Sequence, residues 1–368
     1  MSGAREHPVL APGSRPAPGY RVLGHLARTG WLDLYDSWSE ERACRCVVKV
    51  LRPDRRAEEE AAERLLREGR WLCEFTHPHL VRGYEVRTAP QPLVVLETLS
   101  GETLSCLLHR LRRRPAAADL ALLGVQLCSA VHYLHGRGLL HLDLKPSNVV
   151  VDCGRAKVLD LSVARPPGHA PPGMGTFSYL APEQARGGPL SAAADVWGIG
   201  VTLYEAATGD VPFDRGETVP SGSGSGSDVG NGNGNGSHHG AGGDGGDGSD
   251  RADGGTGVGG SARGPGGGPG WYPQLEASAP PVGTRRRLPR ALAEAVDGCL
   301  RQDPAARPTV PELAAALRAL VPDDLPGPAA RAVGTGPRAT GTEARTEAPG
   351  GRSRGSGAVR TGSPESRA

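Results

Sequence analysis

The apolar positions of the first hundred residues recur with a period of two and are interrupted by turn-forming residues. Such alternation predicts half-buried β-strands. The predicted strands lie near residues 20–23, 32–36, 46–51, 80–86 and 93–97. Between the third and fourth strands, residues 57–75 carry apolar side chains at helical spacing and glutamates in the first turns, which predicts an amphipathic helix. The pattern indicates a small lobe of five antiparallel strands and one helix.

Beyond residue 100 the apolar spacing changes to the repeat that is typical of helices. Asp119 is expected to cap one of these helices, and Gly136 and Gly138 to end it. The predicted helix at 192–208 is apolar on all sides, so it is expected to be buried. The predicted helices cover residues 103–113, 119–137, 192–208, 289–301 and 310–320, with the buried one at 192–208. They predict a larger, helical second lobe.

Three stretches have a composition that does not support a packed core. Segments of this kind bury too little apolar surface to offset their chain entropy, so disorder is expected in each. They are the Pro-, Gly- and Ala-rich residues 1–18, the Gly-, Ser- and Asn-rich residues 216–270, and the Gly-, Pro- and Arg-rich residues 322–368. The folded domain is expected over residues 19–321, interrupted by the 216–270 insertion, with its small lobe at 19–99 and its large lobe at 100–321.

Charge and cysteine content exclude several classes of protein. The formal net charge is +2, which gives no strong field for nucleic acid or for a membrane surface. Seven cysteines lie scattered without a Cys-x-x-Cys motif, so reduced thiols are expected. The first residues hold no apolar leader core, and no run approaches 18 uncharged apolar residues. We expect a cytoplasmic protein without a membrane span or a nucleic-acid partner.

The densest group of chemistry-bearing side chains lies between residues 141 and 162. Two carboxylates, one amide and one ammonium group occur there between apolar runs: Asp143, Lys145, Asn148 and Asp160. Carboxylate and amide oxygens are ligands that Mg²⁺ prefers, and a lysine can neutralise the charge of a phosphoryl group. Lysine is scarce in this chain, since only Lys49, Lys145 and Lys157 occur among 42 basic residues. In such a chain, a lysine indicates a position where arginine cannot replace it, such as a point contact to a phosphate.

The run from His141 to Asn148, followed by Asp160, resembles the catalytic and metal-binding loops of the eukaryotic-like (Hanks-type) bacterial Ser/Thr protein kinases. The resemblance covers about residues 20–215 and 271–321. It implies an α+β, two-lobed protein kinase fold, with a small antiparallel β lobe carrying one helix and a larger helical lobe. It also implies transfer of the γ-phosphoryl group of ATP, with Mg²⁺, to Ser or Thr of protein substrates, with the chain itself as one candidate substrate.

The resemblance assigns roles residue by residue. Asp143 would orient the acceptor hydroxyl and accept its proton, and Lys145 would stabilise the transferring group. Lys49 would contact the phosphates and pair with Glu68 on the small-lobe helix. Asn148 and Asp160 would bind the metal ions. The adenine would lie against the hinge residues Glu97 and Leu99 and under the hairpin residues Leu26, Ala27 and Leu34.

The hairpin over residues 26–35 departs from the family pattern. Aligned on Leu34, the three glycine positions of the phosphate-covering loop hold Ala27, Thr29 and Leu32, and only the neighbouring Gly30 is a glycine. Side chains at these positions hinder close approach of backbone amides to phosphate. We therefore expect weakened or unusual nucleotide binding, and a pseudokinase scaffold with little or no transfer is the alternative function.

The segment after Asp160 also departs from the pattern. The arginine that usually precedes the catalytic aspartate is Leu142, and residues 163–175 contain no Ser, Thr or Tyr. Both the phosphate acceptor and its receiver are therefore missing, and activity is expected to be independent of phosphorylation of this loop. Ser162 replaces the family's glycine, so an inward–outward flip of Asp160 is expected to be restricted.

Residues 175–183 resemble the family's peptide-docking segment. By the same resemblance, Glu183 would form a buried ion pair with Arg307, and Asp195 would brace the catalytic loop. A small-molecule phosphotransferase shares the Asp and Asn chemistry, but the docking segment and Arg307 favour peptide substrates.

Overall fold

The computed structural model describes residues 8–111, 113–213 and 271–322. The predicted insertion at 216–270, residues 1–7 and all of the predicted tail except Pro322 lie outside the described residues. The domain boundaries drawn through these stretches stay predictions.

The small lobe consists of one antiparallel five-stranded sheet and one helix, as the alternating pattern predicts. The sheet order is β1-β2-β3-β5-β4. Its elements are β1 (Tyr20–Arg28), β2 (Leu32–Ser39), β3 (Cys44–Leu51), α1 (Glu59–Glu74), β4 (Gly83–Arg87) and β5 (Leu93–Glu97). Helix α1 packs closely on the sheet, since a Cβ at Gly69 would lie 2.4 Å from Cγ2 of Val94.

The two faces of the sheet bury different sets of residues, because successive strand side chains point to opposite sides. One face packs against α1 and continues into the main core. The other face forms a separate apolar cluster that includes Tyr20, Tyr35, Val48 and Val95.

The expected disorder of residues 1–18 is wrong for residues 8–18, which pack on this second face. Ala17 is buried within the cluster and Leu10 packs against it. The amide of Gly13 donates to the carbonyl of Val22, and the amide of Val22 donates to the carbonyl of Ser14. Composition suggests disorder here because it counts only the segment's own apolar residues. The stabilisation comes from aromatic side chains elsewhere in the sheet that the segment covers.

The large lobe is helical, as predicted, with two small sheets. Its helices are α2 (Leu104–Arg110), α3 (Ala117–His135), α4 (Pro182–Arg186), α5 (Ala192–Thr208), α6 (Val282–Arg285), α7 (Arg290–Cys299) and α8 (Val310–Arg318). Its strands are β6 (Glu102–Thr103), β7 (Val149–Asp152), β8 (Arg155–Val158), β9 (Gly168–Ala170) and β10 (Gly188–Leu190). The predicted N-cap at Asp119 is wrong, since Ala116 is the N-cap and Asp119 lies in the first turn. A carboxylate there still interacts favourably with the helix dipole.

Helices α3 and α5 form the centre of the large lobe. Helix α5 begins at Ala192 and ends at Thr208, as predicted, and Trp197 within it is fully buried. Helix α3 is the one helix among the described residues that is long and apolar enough to cross a membrane. It packs against α5 and α8, and Leu127, Val131 and Leu134 on it are completely buried. Core helices of large domains commonly have this composition.

Candidate active site

Lys49 and Glu68 form an ion pair inside the small lobe. Lys49 lies on β3, with its Nζ 2.8 Å from Oε1 of Glu68 on α1 and 3.8 Å from Oδ1 of Asp160. Lys49 is 4% exposed and Glu68 is not exposed at all. Burial raises the pKa of the Glu68 carboxyl to about 7, although the Lys49 ammonium opposes the shift. Burial favours the neutral lysine, but Asp160 and Glu68 together raise the pKa of Lys49.

Asp160 is held by the backbone that follows it. Burial alone would raise the pKa of this carboxyl, but the Lys49 ammonium and hydrogen bonds from Ser162 lower it to about 2. The amide of Ser162 donates to Oδ1 of Asp160 at 3.0 Å. The amide of Leu161 donates to Oε1 of Glu68 at 3.2 Å, so this segment is also tied to α1. Asp160 has φ 50°, whereas Ser162 does not lie at positive φ, so serine is accommodated there without strain.

Asp143, Lys145 and Asn148 come together in the loop before β7. Nδ2 of Asn148 donates to the carbonyl oxygen and to Oδ2 of Asp143, both at 3.0 Å. Nζ of Lys145 lies 3.1 Å from Oδ2 of Asp143. The backbone carbonyl of Asn148 accepts from the amide of Leu159 at 2.8 Å, which joins this loop to the strand that ends before Asp160.

The donor set fits Mg²⁺. Both amide hydrogens of Asn148 are engaged by Asp143, so its Oδ1 is the atom left for a cation. Asp160 supplies a carboxylate that stays ionised because its pKa is about 2. Within the described ranges, no group of three or more His, Cys, Asp and Glu side chains is placed to hold a metal. Mg²⁺ is well suited to a site of few protein oxygens, because substrate phosphates and water complete its coordination.

Asp195, at the start of α5, braces the loop as predicted. Its carboxylate accepts from the amides of His141 and Leu142 at 2.8 and 2.7 Å, and it lies 2.8 Å from Nε2 of His135. Leu142 has φ 66°, a left-handed conformation that is strained for a leucine. The hydrogen bonds to Asp195 stabilise this strained turn and so fix the backbone next to Asp143.

The hinge uses a residue pair that sequence reasoning missed. Nζ of Lys157 on β8 contacts Oε1 of Glu97, and the same oxygen accepts from the amide of Arg82 at 2.9 Å. Leu99 is half-buried at the end of the small lobe. The contact gives Lys157 a structural role. The scarcity of lysine in the chain was the signal that could have identified this residue.

The β1–β2 hairpin is anchored to the small lobe at its tip. Trp31 is 8% exposed, and the guanidinium of Arg64 on α1 lies over its ring at 5.5 Å. The amide of Arg52 donates to the carbonyl of Trp31 at 3.0 Å, and its Nη1 donates to the carbonyl of Thr29 at 3.2 Å. The tip of the hairpin is thus attached both to α1 and to the end of β3.

The predicted nucleotide-contacting hairpin residues lie on its strands. Ala27 pairs with Leu34, and Leu34 pairs with Lys49 on β3. Leu26 is 54% exposed. Ala27, at one of the family's glycine positions, is exposed as well, so its side chain is not buried by its neighbours.

The docking segment is joined to the C-terminal helices by a buried ion pair, as predicted. Nη1 and Nη2 of Arg307 donate to Oε1 and Oε2 of Glu183 at 2.7 and 2.9 Å. The guanidinium also lies 4.9 Å from the Trp197 ring centroid. Two buried glutamines that sequence reasoning missed, Gln184 and Gln274, bind backbone carbonyls of the same region. A single glutamine gives no periodic signal along the chain, so these two were not predictable.

Comparison with known proteins agrees with this geometry. The protein kinase domain family matches residues 33–225 of the chain. A probable serine/threonine-protein kinase PknB of Lactococcus lactis is 32% identical over 212 residues, which cover 55% of this chain and 34% of that protein. The serine/threonine-protein kinase PknB of Mycobacterium leprae is 33% identical over 179 residues, covering 45% of this chain and 29% of that protein. This chain thus aligns with about a third of the length of these curated relatives.

A solved structure gives the same fold. The kinase domain of Mycobacterium tuberculosis PknI, crystallised as a mutant, superimposes with a TM-score of 0.57 at 19% identity, covering 85% of this chain and 99% of that one. At this identity the likeness concerns the fold alone.

Proposed function

This chain belongs to the protein kinase domain family, and we propose that it transfers the γ-phosphoryl group of ATP to Ser or Thr hydroxyls of protein substrates. The observation that carries the proposal is the assembled Lys49–Glu68 ion pair with Asp160 beside it. A lysine at this point holds phosphate oxygens, and the glutamate keeps it in place.

The side chains divide the reaction among them. Asp143 orients the acceptor hydroxyl and takes up its proton as the oxygen–phosphorus bond forms and the bond to the leaving ADP oxygen breaks. Lys145, 3.1 Å from Asp143, balances the charge of the transferring group. Asn148 and Asp160 hold Mg²⁺, which neutralises charge on the phosphates when bound. The remaining rate enhancement comes from positioning.

Protein substrates are favoured over small molecules by the docking segment. Its backbone is fixed by the Glu183–Arg307 pair and by Gln274, whose Nε2 donates to the carbonyl of Phe177 at 2.9 Å. A rigid, partly exposed segment beside Asp143 suits an extended peptide. The chain itself is a candidate substrate, and a cytoplasmic location is proposed from the reduced cysteines.

The proposed activity does not depend on phosphorylation of residues 163–175. The segment offers no hydroxyl, and Leu142 offers no cation to a phosphate. Treatment with a phosphatase is expected to leave the transfer rate unchanged. A large loss of rate on phosphatase treatment, traced to the removal of a phosphate from Thr176 or Ser178, would contradict this part.

A pseudokinase scaffold is the second candidate, and the anchored hairpin favours it. With its tip held by Trp31 and Arg52, the loop is less free to close over phosphates. Purified protein with radiolabelled ATP and Mg²⁺ separates the two, alongside Asp143→Ala and Lys49→Ala. We expect transfer by the wild type and a loss of at least about 100-fold in either variant. Equal incorporation by the wild type and Asp143→Ala would refute kinase activity.

A further inference from the structure

The segment between Asp160 and Glu183 follows a defined path. Residues 163–175 within it contain no Ser, Thr or Tyr that could carry a phosphate. Its beginning pairs with the catalytic loop, since Leu140 and Arg165 exchange backbone hydrogen bonds of 2.8 and 3.1 Å. Its middle forms β9, which pairs antiparallel with β10. Its end, around Met174, is linked to the catalytic loop through α4. This last part is therefore held by hydrogen bonds within the chain.

Gln184 on α4 makes these contacts. Its side chain is 2% exposed, and Nε2 donates to the carbonyl of Leu142 and to the carbonyl of Met174, both at 2.9 Å. Its Oε1 accepts from the amide of Ala181 at 3.1 Å. Its backbone carbonyl accepts from the amide of Gly173 at 2.8 Å. One residue thus connects the catalytic loop, the segment before the docking site and α4.

The carbonyl of Leu142 is the important partner, because Leu142 directly precedes Asp143. Its amide is held by Asp195 and its carbonyl by Gln184, so the strained peptide is fixed on both sides. A side chain at position 184 has to offer two donors and one acceptor at once. Only a primary amide does so, since a carboxylate has no donor and an ammonium has no acceptor.

We propose that Gln184 is a positioning residue that couples the backbone of the catalytic Asp143 to the docking segment through hydrogen bonds that require no phosphate. This inference rests on the proposed kinase activity for its kinetic consequence, whereas its structural part stands on the hydrogen bonds alone. The hydrogen bonds form between residues of the chain itself, so the coupling requires no covalent modification.

The test uses the full chain and the variant Gln184→Met, which keeps the volume and removes the amide. Gln126 provides a matched control: it is also a buried glutamine, and it bonds the backbone of Gly154 in the β7–β8 turn and of Ala156 in β8. Gln184→Met is expected to lower kcat at least 10-fold with KM for ATP unchanged. It is also expected to speed amide hydrogen exchange in residues 168–176. Gln126→Met is expected to lower the Tm without either effect.

The structural part is tested by hydrogen exchange even if the wild type transfers no phosphate. In that case faster exchange in residues 168–176 of Gln184→Met still supports the coupling, and the failure belongs to the proposed activity. If Gln184→Met does not fold, Gln184→Asn replaces it, with a smaller expected loss because its amide is one methylene short. Wild-type kcat together with wild-type exchange in the folded variant overturns the inference. An effect no larger than that of Gln126→Met overturns it as well.

Discussion

The hydroxyl of Thr176 lies 2.6 Å from Oδ1 of Asp143, to which it donates, and accepts from Nζ of Lys145, also at 2.6 Å. It therefore joins the docking segment to the side chains proposed to act on the acceptor hydroxyl and on the transferring group. Thr176→Val keeps the shape and removes the hydroxyl. Hydrogen bonds to charged groups contribute about 1.5–3 kcal/mol, so kcat is expected to fall by roughly 10-fold to 100-fold. Thr176→Ser is expected to restore most of the rate, and a valine variant with wild-type kcat would show that the contact is only structural.

The missing glycines of the hairpin predict a measurable cost in nucleotide binding. Ala27→Gly restores one glycine position at an exposed residue, where the backbone would approach the phosphates more closely. KM for ATP is expected to fall by a factor of about three with little change in kcat, because ground state and transition state gain alike. Ala43→Gly, in the β2–β3 turn, is the control and is expected to leave KM unaltered. An unchanged KM in Ala27→Gly would mean that the side chain there does not limit ATP binding.

Burial of Glu68 predicts a pH-dependent stability. Its pKa is raised from 4.5 to about 7 in the folded state. Its contribution to the free energy of unfolding is therefore fully present below pH 4.5 and is lost as the pH rises through about 7. Glu68→Gln lacks this titration. The stability of the variant relative to the wild type is expected to increase between about pH 4.5 and about pH 7, as measured by urea denaturation. A difference that does not depend on pH would contradict the buried, high-pKa carboxyl.

We expect even a conservative substitution of Arg307 to lower the stability strongly. Its guanidinium donates to Glu183 and to the carbonyls of Ala193, Arg301 and Gln302. Lysine has three donors and no planar fork, so Arg307→Lys is expected to cost about 3 kcal/mol of the free energy of unfolding. The exposed Arg290, paired with Glu294, is the control, and Arg290→Lys is expected to leave the stability near that of the wild type. Equal effects in the two variants would refute the role of the fork.

We expect two truncations of the N-terminal residues to differ in stability. Removal of residues 1–17 uncovers the aromatic cluster around Tyr20 and Tyr35, each 1% exposed. At about 25 cal/mol per Å² of apolar surface, roughly 3 kcal/mol of stability is expected to be lost. Removal of residues 1–7 keeps Leu10 and Ala17 and is expected to leave the Tm near that of the full chain. Equal Tm values for the two truncations would show that residues 8–17 do not stabilise the sheet.

Local patterns were sufficient for most of the small lobe and for the chemistry. The period of two located five strands, and the helical spacing located α1 and α5 within two residues of their ends. Asp143, Lys145 and Asn148 lie within six residues of one another, so a single turn of chain brings them together. Residues 8–18 were misjudged because their partners lie in other parts of the sequence.

The sequence by itself determined the elements, the short catalytic run and the family, since these depend on residues that are close in the chain. The resemblance had already indicated the Glu183–Arg307 pair, but the tertiary structure decided which other distant groups meet: Lys157 with Glu97, Trp31 with Arg64, and Gln184 with the carbonyl of Leu142. These contacts join residues up to 60 positions apart. Their distances depend on how whole helices and sheets pack, and no periodicity along the chain encodes that packing. The glycine-poor hairpin was readable from the sequence, but its attachment to α1 through Trp31 follows from the packing of the small lobe.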